Sequence, residues 1–143
     1  MRVVYTAGVW DLLHRGHLNL LWESKQLGDI LVVGVVSDAG CNAYKGFFPA
    51  QHSQHRMRAI ENFGCVDVVE LQATTDPTPL LERFRPDVFT HADGDGDWTE
   101  LRERVRAMGA EYVNLSYTPG ISSTAIRAEM KRHNREVQNA VSA

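Results

Sequence analysis

The sequence predicts an α/β protein: a doubly wound, Rossmann-like, mostly parallel sheet of five strands with helices on both faces. Three observations carry this expectation. Short runs rich in β-branched and aromatic residues recur five times along the chain, and stretches with apolar residues at helical spacing alternate with them. The run Ile30-Leu31-Val32-Val33-Gly34-Val35-Val36 is continuously apolar, as in a strand buried on both faces of a parallel sheet.

The elements follow in order. Val3-Val4-Tyr5, ended by Ala7-Gly8, reads as the first strand, and residues 17–27 repeat apolar positions at Leu18, Leu21 and Trp22 before stopping at Gly28, which predicts a helix. With the strand at residues 30–36 this makes a βαβ unit. A polar loop over residues 38–52 leads into a helix through Arg56, Ala59 and Ile60, then a strand over residues 66–71. Pro77 marks the start of the next helix, since proline suits a first helical turn. Residues 87–90 form a fourth short strand, residues 101–108 a helix closed by Gly109, and residues 112–115 a fifth strand. A last helix follows "GISST" at residues 120–124, with Ser122 or Ser123 as its N-cap, and residues 133–143 read as a polar tail.

Bulk properties narrow the function classes. The 143 residues, 43% hydrophobic, suffice for one core, so the chain reads as a single domain over residues 1–132 followed by the tail. A net charge of −3 and a pI near 6.0 give no basic field for nucleic acid or an anionic membrane, so neither is expected as a partner. No apolar run is long enough to span a bilayer, the N-terminus lacks a signal-peptide core, and the two cysteines, Cys41 and Cys65, fit reduced thiols; the expectation is a cytoplasmic protein.

In an open α/β sheet, ligands bind beyond the carboxyl ends of the strands, and the first strand-to-helix turn is the usual place. Here that turn contains "WDLLHRGH", residues 10–17, with His14 and His17 three apart around Gly16. Gly8 and Gly16 permit close backbone approach, and the free N–H groups and dipole of a helix N-terminus favour an anion. The same dipole disfavours protonation, so both imidazoles are expected to be neutral near pH 7, with a bound polyphosphate shifting the balance toward imidazolium. Two N–H donors beside developing negative charge suit phosphoryl transfer, although an HxxH pair alone is as often structural as functional. Zinc is a further reading, since His52 and His55 repeat the spacing. No glutamate or cysteine stands at ligand spacing beside either pair, so no metal ligands are assigned. The first turn holds no GxGxxG, which argues against a dinucleotide-binding dehydrogenase.

The segment "AGVWDLLHRGHLNLL" resembles the G-x-F-D-x-x-H-x-G-H signature of cytidylyltransferase-like nucleotidyltransferases, with Trp10 in place of the usual phenylalanine. "GISST" resembles the G-I-S-T-T or G-I-S-T-S of cytidylyltransferases acting on glycerol 3-phosphate, phosphocholine and phosphoethanolamine. Between them "LGDILVVGVVSD", "HSQHR" and "VDVV" fall in the order seen in bacterial glycerol-3-phosphate cytidylyltransferases.

That resemblance implies transfer of CMP from CTP to a small phosphorylated or phosphonate alcohol, with glycerol 3-phosphate the leading acceptor and pyrophosphate the leaving group. Mg²⁺ would be bound through the nucleotide phosphates. His14, His17 and Lys45 would be catalytic. Gly8, Val9, Asp11, Gly16, Asp93, Gly120, Ile121, Ser122, Ser123 and Thr124 would bind nucleotide, and Lys45 and Arg56 the acceptor. Family members often form dimers, so a homodimer is expected.

Three departures qualify the match. Ala92 replaces a family glycine, Tyr117 stands where an arginine helps bind phosphate, and Pro119 where glutamate is common. Loss of that arginine removes about 1.5–3 kcal/mol of charged hydrogen bonding. Two alternatives therefore stay open: an adenylyltransferase acting on a sugar phosphate such as a heptose phosphate, which shares the histidine motif and the lysine-glycine pair, and a nucleotide-binding protein without catalysis.

Overall fold

A computed structural model describes residues 1–92, 94, 96–115 and 123–142. Its elements are β1 (Val3–Gly8), α1 (Arg15–Lys25), β2 (Ile30–Val36), α2 (Asp38–Lys45), α3 (Ser53–Glu61), β3 (Val68–Gln72), α4 (Thr78–Phe84), β4 (Val88–His91), α5 (Thr99–Ala107), β5 (Glu111–Asn114) and α6 (Ser123–Ser142). The five strands pair in parallel in the order β3-β2-β1-β4-β5, so the direction of winding reverses between β1 and β4.

Alternation along the strands divides the core into two layers, because successive side chains point to opposite faces. Val4, Leu31, Val33, Val35 and Val88 face one side with Leu21 of α1 and Ile60 of α3; Tyr5, Val32 and Phe89 face the other with Leu81 of α4 and Val105 of α5. A buried hydroxyl chain pins α1 to the switch point. Ser24 Oγ lies 2.7 Å from Thr90 Oγ1, and Thr6 Oγ1 donates to the Thr90 carbonyl at 3.2 Å. Trp22 differs from its expected inward position: it is 57% exposed, and Ser24 takes the buried place on α1.

The segment expected as a polar loop over residues 38–52 holds a two-turn helix, α2. Ser37 caps it by accepting from Gly40 N at 2.9 Å, and Gly46, at φ +80°, closes it. Gly40 looks like a helix breaker, yet a Cβ there would stand 2.5 Å from the Ala73 carbonyl oxygen, so close packing against the β3 end demands glycine. At the far end, α6 continues through the residues read as a tail up to Ser142, exposed along its length after Arg127. Among the described residues no helix is long and apolar enough to cross a membrane.

Candidate active site

The turn between β1 and α1 carries the site, and its backbone is strained. Trp10 (φ 57°) and Leu12 (φ 51°) both occupy the left-handed region, which costs bulky residues about 1–3 kcal/mol each. Three anchors hold it. Trp10 is buried and its Nε1–H donates to the Gly34 carbonyl at 3.0 Å, a bond that phenylalanine at this position would lack. Gln51 Oε1 accepts from Leu12 N at 3.0 Å. Asp11, only 2% exposed, accepts from Ala50 N (2.8 Å), from Gln51 N (3.0 Å) and from the Arg127 guanidinium of α6. Asp11, expected at the nucleotide, is thus the clamp that ties the turn to the following loop and to the C-terminal helix.

The two histidines start α1 by capping it themselves. His14 is the N-cap, and its Nδ1 accepts from Gly16 N at 3.0 Å; His17 Nδ1 accepts in return from His14 N at 3.4 Å. Imidazole nitrogen here does the work that serine and glutamate do in an ordinary capping box. The rings stack at 3.8 Å with 20° between their planes, and the Trp10 ring meets His17 edge-on at 5.5 Å. Since each Nδ1 accepts a backbone hydrogen, the proton of each neutral ring sits on Nε2.

Electrostatics reinforce that state. Burial lowers the pKa of His14. Burial, then the neighbouring His14, bring His17 down to about 4; Asp11 opposes the shift and Lys45 adds to it. Both rings are therefore neutral near pH 7, as the sequence led us to expect. The expected shift to imidazolium beside a polyphosphate meets an obstacle the sequence did not reveal: a proton on Nδ1 would displace a capping N–H.

Beside this turn, over the carboxyl ends of β1 to β4, lies a cavity of about 230 Å³. It is lined by Ala7, Gly8 and Val9 from the end of β1, Val36 from β2, Tyr44 and Lys45 from α2, Gln72, Thr75 and Pro77 from the end of β3 and the segment after it, Phe89 and His91 from β4, and Trp98 and Leu101 at the start of α5. It sits at the reversal of strand order, where open α/β sheets place ligands. Lys45 ends α2, is exposed and lines this cavity, and its charge lowers the pKa of His17, whereas neither histidine is among the residues that line the cavity.

Arg56 requires a correction. The sequence placed its guanidinium on a phosphate; the structure buries it completely and spends it on protein acceptors. Nε donates to the Gln51 carbonyl (2.9 Å), Nη1 to the carbonyls of Val9 (2.6 Å) and Val36 (2.7 Å), and Nη2 to Asp38 Oδ1 (2.6 Å). Although partial burial pushes the Asp38 carboxyl up, bonds from Arg56 and Ser53 and the charges of Arg56 and His52 hold it below the usual carboxylate range. Arg56 gathers the ends of β1 and β2, the start of α2 and the loop before α3 around one cation; it shapes the site without touching a substrate.

Among the remaining expected positions, Gly8 and Val9 line the cavity and Gly16 supplies the N–H that His14 accepts. Thr124 is exposed in the first turn of α6, which Ser123 opens. Asp93, Gly120, Ile121 and Ser122 lie outside the described residues, as do Tyr117 and Pro119. Sequence reasoning missed Arg127, Gln51, Tyr44 and Trp98. Arg127 was the most accessible of these, since it lies in the helix that "GISST" opens and is the first cation after it. Among the described residues no cluster of three or more His, Cys, Asp or Glu side chains forms a metal site.

Comparison with known proteins places this architecture. The family model described as Cytidylyltransferase-like matches residues 5–129. The bifunctional protein HldE of Streptomyces coelicolor is 40% identical over 129 residues, covering 88% of this chain, and that of Pseudomonas aeruginosa is 34% identical over 133 residues, covering 92%. The chain spans only 28% of the length of each of these relatives. The crystal structure of the lipopolysaccharide core biosynthesis protein from Thermoplasma volcanium superposes with a TM-score of 0.74 at 32% identity, over 82% of this chain and 98% of that one. Pantothenate synthetase from Thermus thermophilus shares the fold, with a TM-score of 0.56 at 17% identity over 81% of this chain and 56% of that one. Two of these proteins are HldE and one is a lipopolysaccharide core biosynthesis protein; none of the four is a glycerol-3-phosphate enzyme of the kind the sequence suggested.

Proposed function

Because the chain belongs to the cytidylyltransferase-like family of nucleotidyltransferases, we propose that it transfers AMP from ATP to a heptose phosphate, giving a nucleotide-activated sugar and pyrophosphate. Two grounds favour ATP and a heptose phosphate over CTP and glycerol 3-phosphate. Similarity to HldE covers nearly the whole chain, and the glycerol-phosphate reading rested on "GISST" and on the order of three short segments before it, with Tyr117 and Pro119 departing from the pattern beside that motif.

The observation that carries the chemistry is the reciprocal cap of His14 and His17. With both Nδ1 atoms engaged by backbone, two neutral Nε2–H donors remain at the N-terminus of α1. In the proposed reaction an oxygen of the acceptor phosphate attacks the α-phosphorus of the nucleotide in line, and the bond to the pyrophosphate oxygen breaks. His14 and His17 donate from Nε2 to phosphate oxygens on which negative charge grows, and the N-terminus of α1 adds its partial positive charge. Lys45 holds the acceptor phosphate close to that position. Mg²⁺ would be held by the triphosphate oxygens, whose charge it would neutralise; the carboxylate of Asp11, in the same turn as the histidines, accepts from backbone and from Arg127.

The test is pyrophosphate release by the purified protein with Mg²⁺ and ATP or CTP against heptose phosphates, other sugar phosphates, glycerol 3-phosphate and small phosphonates, with His17→Ala in parallel. Release that requires ATP and a heptose phosphate and collapses in the variant is the expected result. Release with CTP and glycerol 3-phosphate would restore the cytidylyltransferase reading, and nucleotide binding without release from any pair would make the protein a non-catalytic binder.

A further inference from the structure

The C-terminal helix α6 meets the rest of the protein near its start. Ile126 and Arg127 are partly buried, and every residue from 128 to 142 is exposed. Among the described residues, the other ion pairs of this helix, Arg132 with Glu129 and with Glu136, stay within it, whereas that of Arg127 spans 116 residues of sequence to reach Asp11. The guanidinium is held on two sides. Nη2 donates to Asp11 Oδ2, and the guanidinium carbon stands 5.5 Å from the centroid of the Phe47 ring in the loop after α2. A cation is thus placed on a carboxylate that is almost fully buried, where an uncompensated charge is costly.

Asp11 passes this contact on to the histidines. Its Oδ2 also accepts from Ala50 N and its Oδ1 from Gln51 N, while Gln51 Oε1 accepts from Leu12 N, so carboxylate and amide grip the turn at consecutive residues. Leu12 keeps its φ of 51° under that restraint, and His14, two residues on, begins the cap. Charge follows the same route. Around the His17 ring, burial, the stacked His14 and Lys45 of α2 favour the neutral form, the Asp11 carboxylate favours imidazolium, and Trp10, edge-on to the ring, carries no charge. An ion pair presents a dipole to its neighbours instead of a full charge, so the guanidinium on Asp11 weakens the pull toward imidazolium. A proton on His17 Nδ1 would displace the His14 N–H that it accepts.

We infer that Arg127 is a positioning residue for the proposed reaction: it fixes the Asp11 carboxylate and offsets its charge, which keeps the His14–His17 cap closed and both Nε2–H groups available to phosphate. In this role it touches no substrate. Its effect on turnover rests on the nucleotidyltransferase reading, and its effect on the rings does not.

Ring ¹⁵N spectra of the histidines and steady-state kinetics test it together. In Arg127→Gln, which keeps a polar side chain and removes the charge, the pKa of His17 should rise from about 4 by about 1, and rings with the proton on Nδ1 should appear at pH 7. The kcat should fall about tenfold to a hundredfold, with the KM for nucleotide within about twofold of wild type. Arg127→Lys restores the charge and should recover most of both, since a single nitrogen, Nη2, makes the bond to Asp11. Adding Asp11→Asn to Arg127→Gln removes the uncompensated carboxylate and should return the His17 pKa to about 4. A His17 titration unmoved in Arg127→Gln overturns the proposal. So does a His17 pKa still raised in the double variant, which decides alone if Arg127→Gln fails to fold. A raised nucleotide KM with unchanged rings would also overturn it, by making Arg127 a phosphate ligand. If the wild type releases no pyrophosphate while the rings respond as described, the enzymatic reading falls and the hold of Arg127 on the cap stands.

Discussion

Two histidine pairs of identical spacing stand at the starts of two helices, and the structure treats them differently. His14 and His17 cap α1 through both Nδ1 atoms and stack at 3.8 Å. His52 is the N-cap of α3 but makes no capping bond, its side chain is 85% exposed, and its ring lies 6.2 Å from that of His55 at a 58° tilt. The difference originates upstream of the rings. A strained turn, anchored by Asp11, Trp10 and Gln51, aims the first pair at its own backbone, whereas the second pair follows a loop that its helix neighbour Arg56 secures. Spacing proposes a site, and the backbone leading into the spacing decides it.

The largest effect should come from the region of the second pair, yet not from its imidazoles. Arg56→Met leaves the Asp38 carboxylate and three carbonyls without their cation, so equilibrium unfolding in denaturant should show a loss of about 3–5 kcal/mol. A loss below about 1 kcal/mol would mean that Arg56 is not the hub described.

The pairs themselves should separate most clearly in turnover. His17→Ala is expected to lower kcat by about 10²–10³, the scale for removal of a donor to a developing oxyanion, while His55→Ala stays within about twofold. Equal losses in the two variants would erase the distinction between them.

Acid should separate the pairs as well. His17 titrates near 4 when folded against 6.5 otherwise, so between these values the unfolded chain binds more protons and stability rises with pH. Up to about 3 kcal/mol present at neutral pH should therefore be lost as pH falls from 6.5 to 4. His17→Asn, measured by denaturant melts across that window, should flatten the dependence. His52→Ala removes only an exposed ring with one long contact to Asp38, at 3.7 Å, and should leave stability at neutral pH within about 0.5 kcal/mol of wild type.

Much of this was legible from the sequence where local chemistry decides. The continuous apolar run predicted β2 to the residue, and Pro77 and Gly109 bracketed α4 and α5 as expected. The alternation of strands and helices is enough for the doubly wound fold. What failed did so where a distant atom decides. Gly40 reads as a loop residue until Ala73 is seen against it, and α2 was lost with it. Trp22 reads as core until Ser24 is found bonded to Thr90 in its stead. Lys45 and Arg56 are equally good phosphate ligands on paper. One lines the cavity and the other is walled in by four backbone and side-chain acceptors that lie between 5 and 47 residues away. Asp11 was expected at the nucleotide from its motif, but its partners Ala50, Gln51 and Arg127 are brought to it by tertiary folding alone.

The central claim is that His14 and His17 are neutral caps that keep Nδ1 on the backbone and Nε2–H free for phosphate. Ring ¹⁵N shifts of the histidines, followed from pH 8 to pH 4, test it most directly. Both rings should appear at pH 7 as the neutral tautomer with the proton on Nε2, and His17 should hold that form until the pH nears 4. A proton on Nδ1 of either ring, or an imidazolium at pH 7, would contradict the account at its foundation.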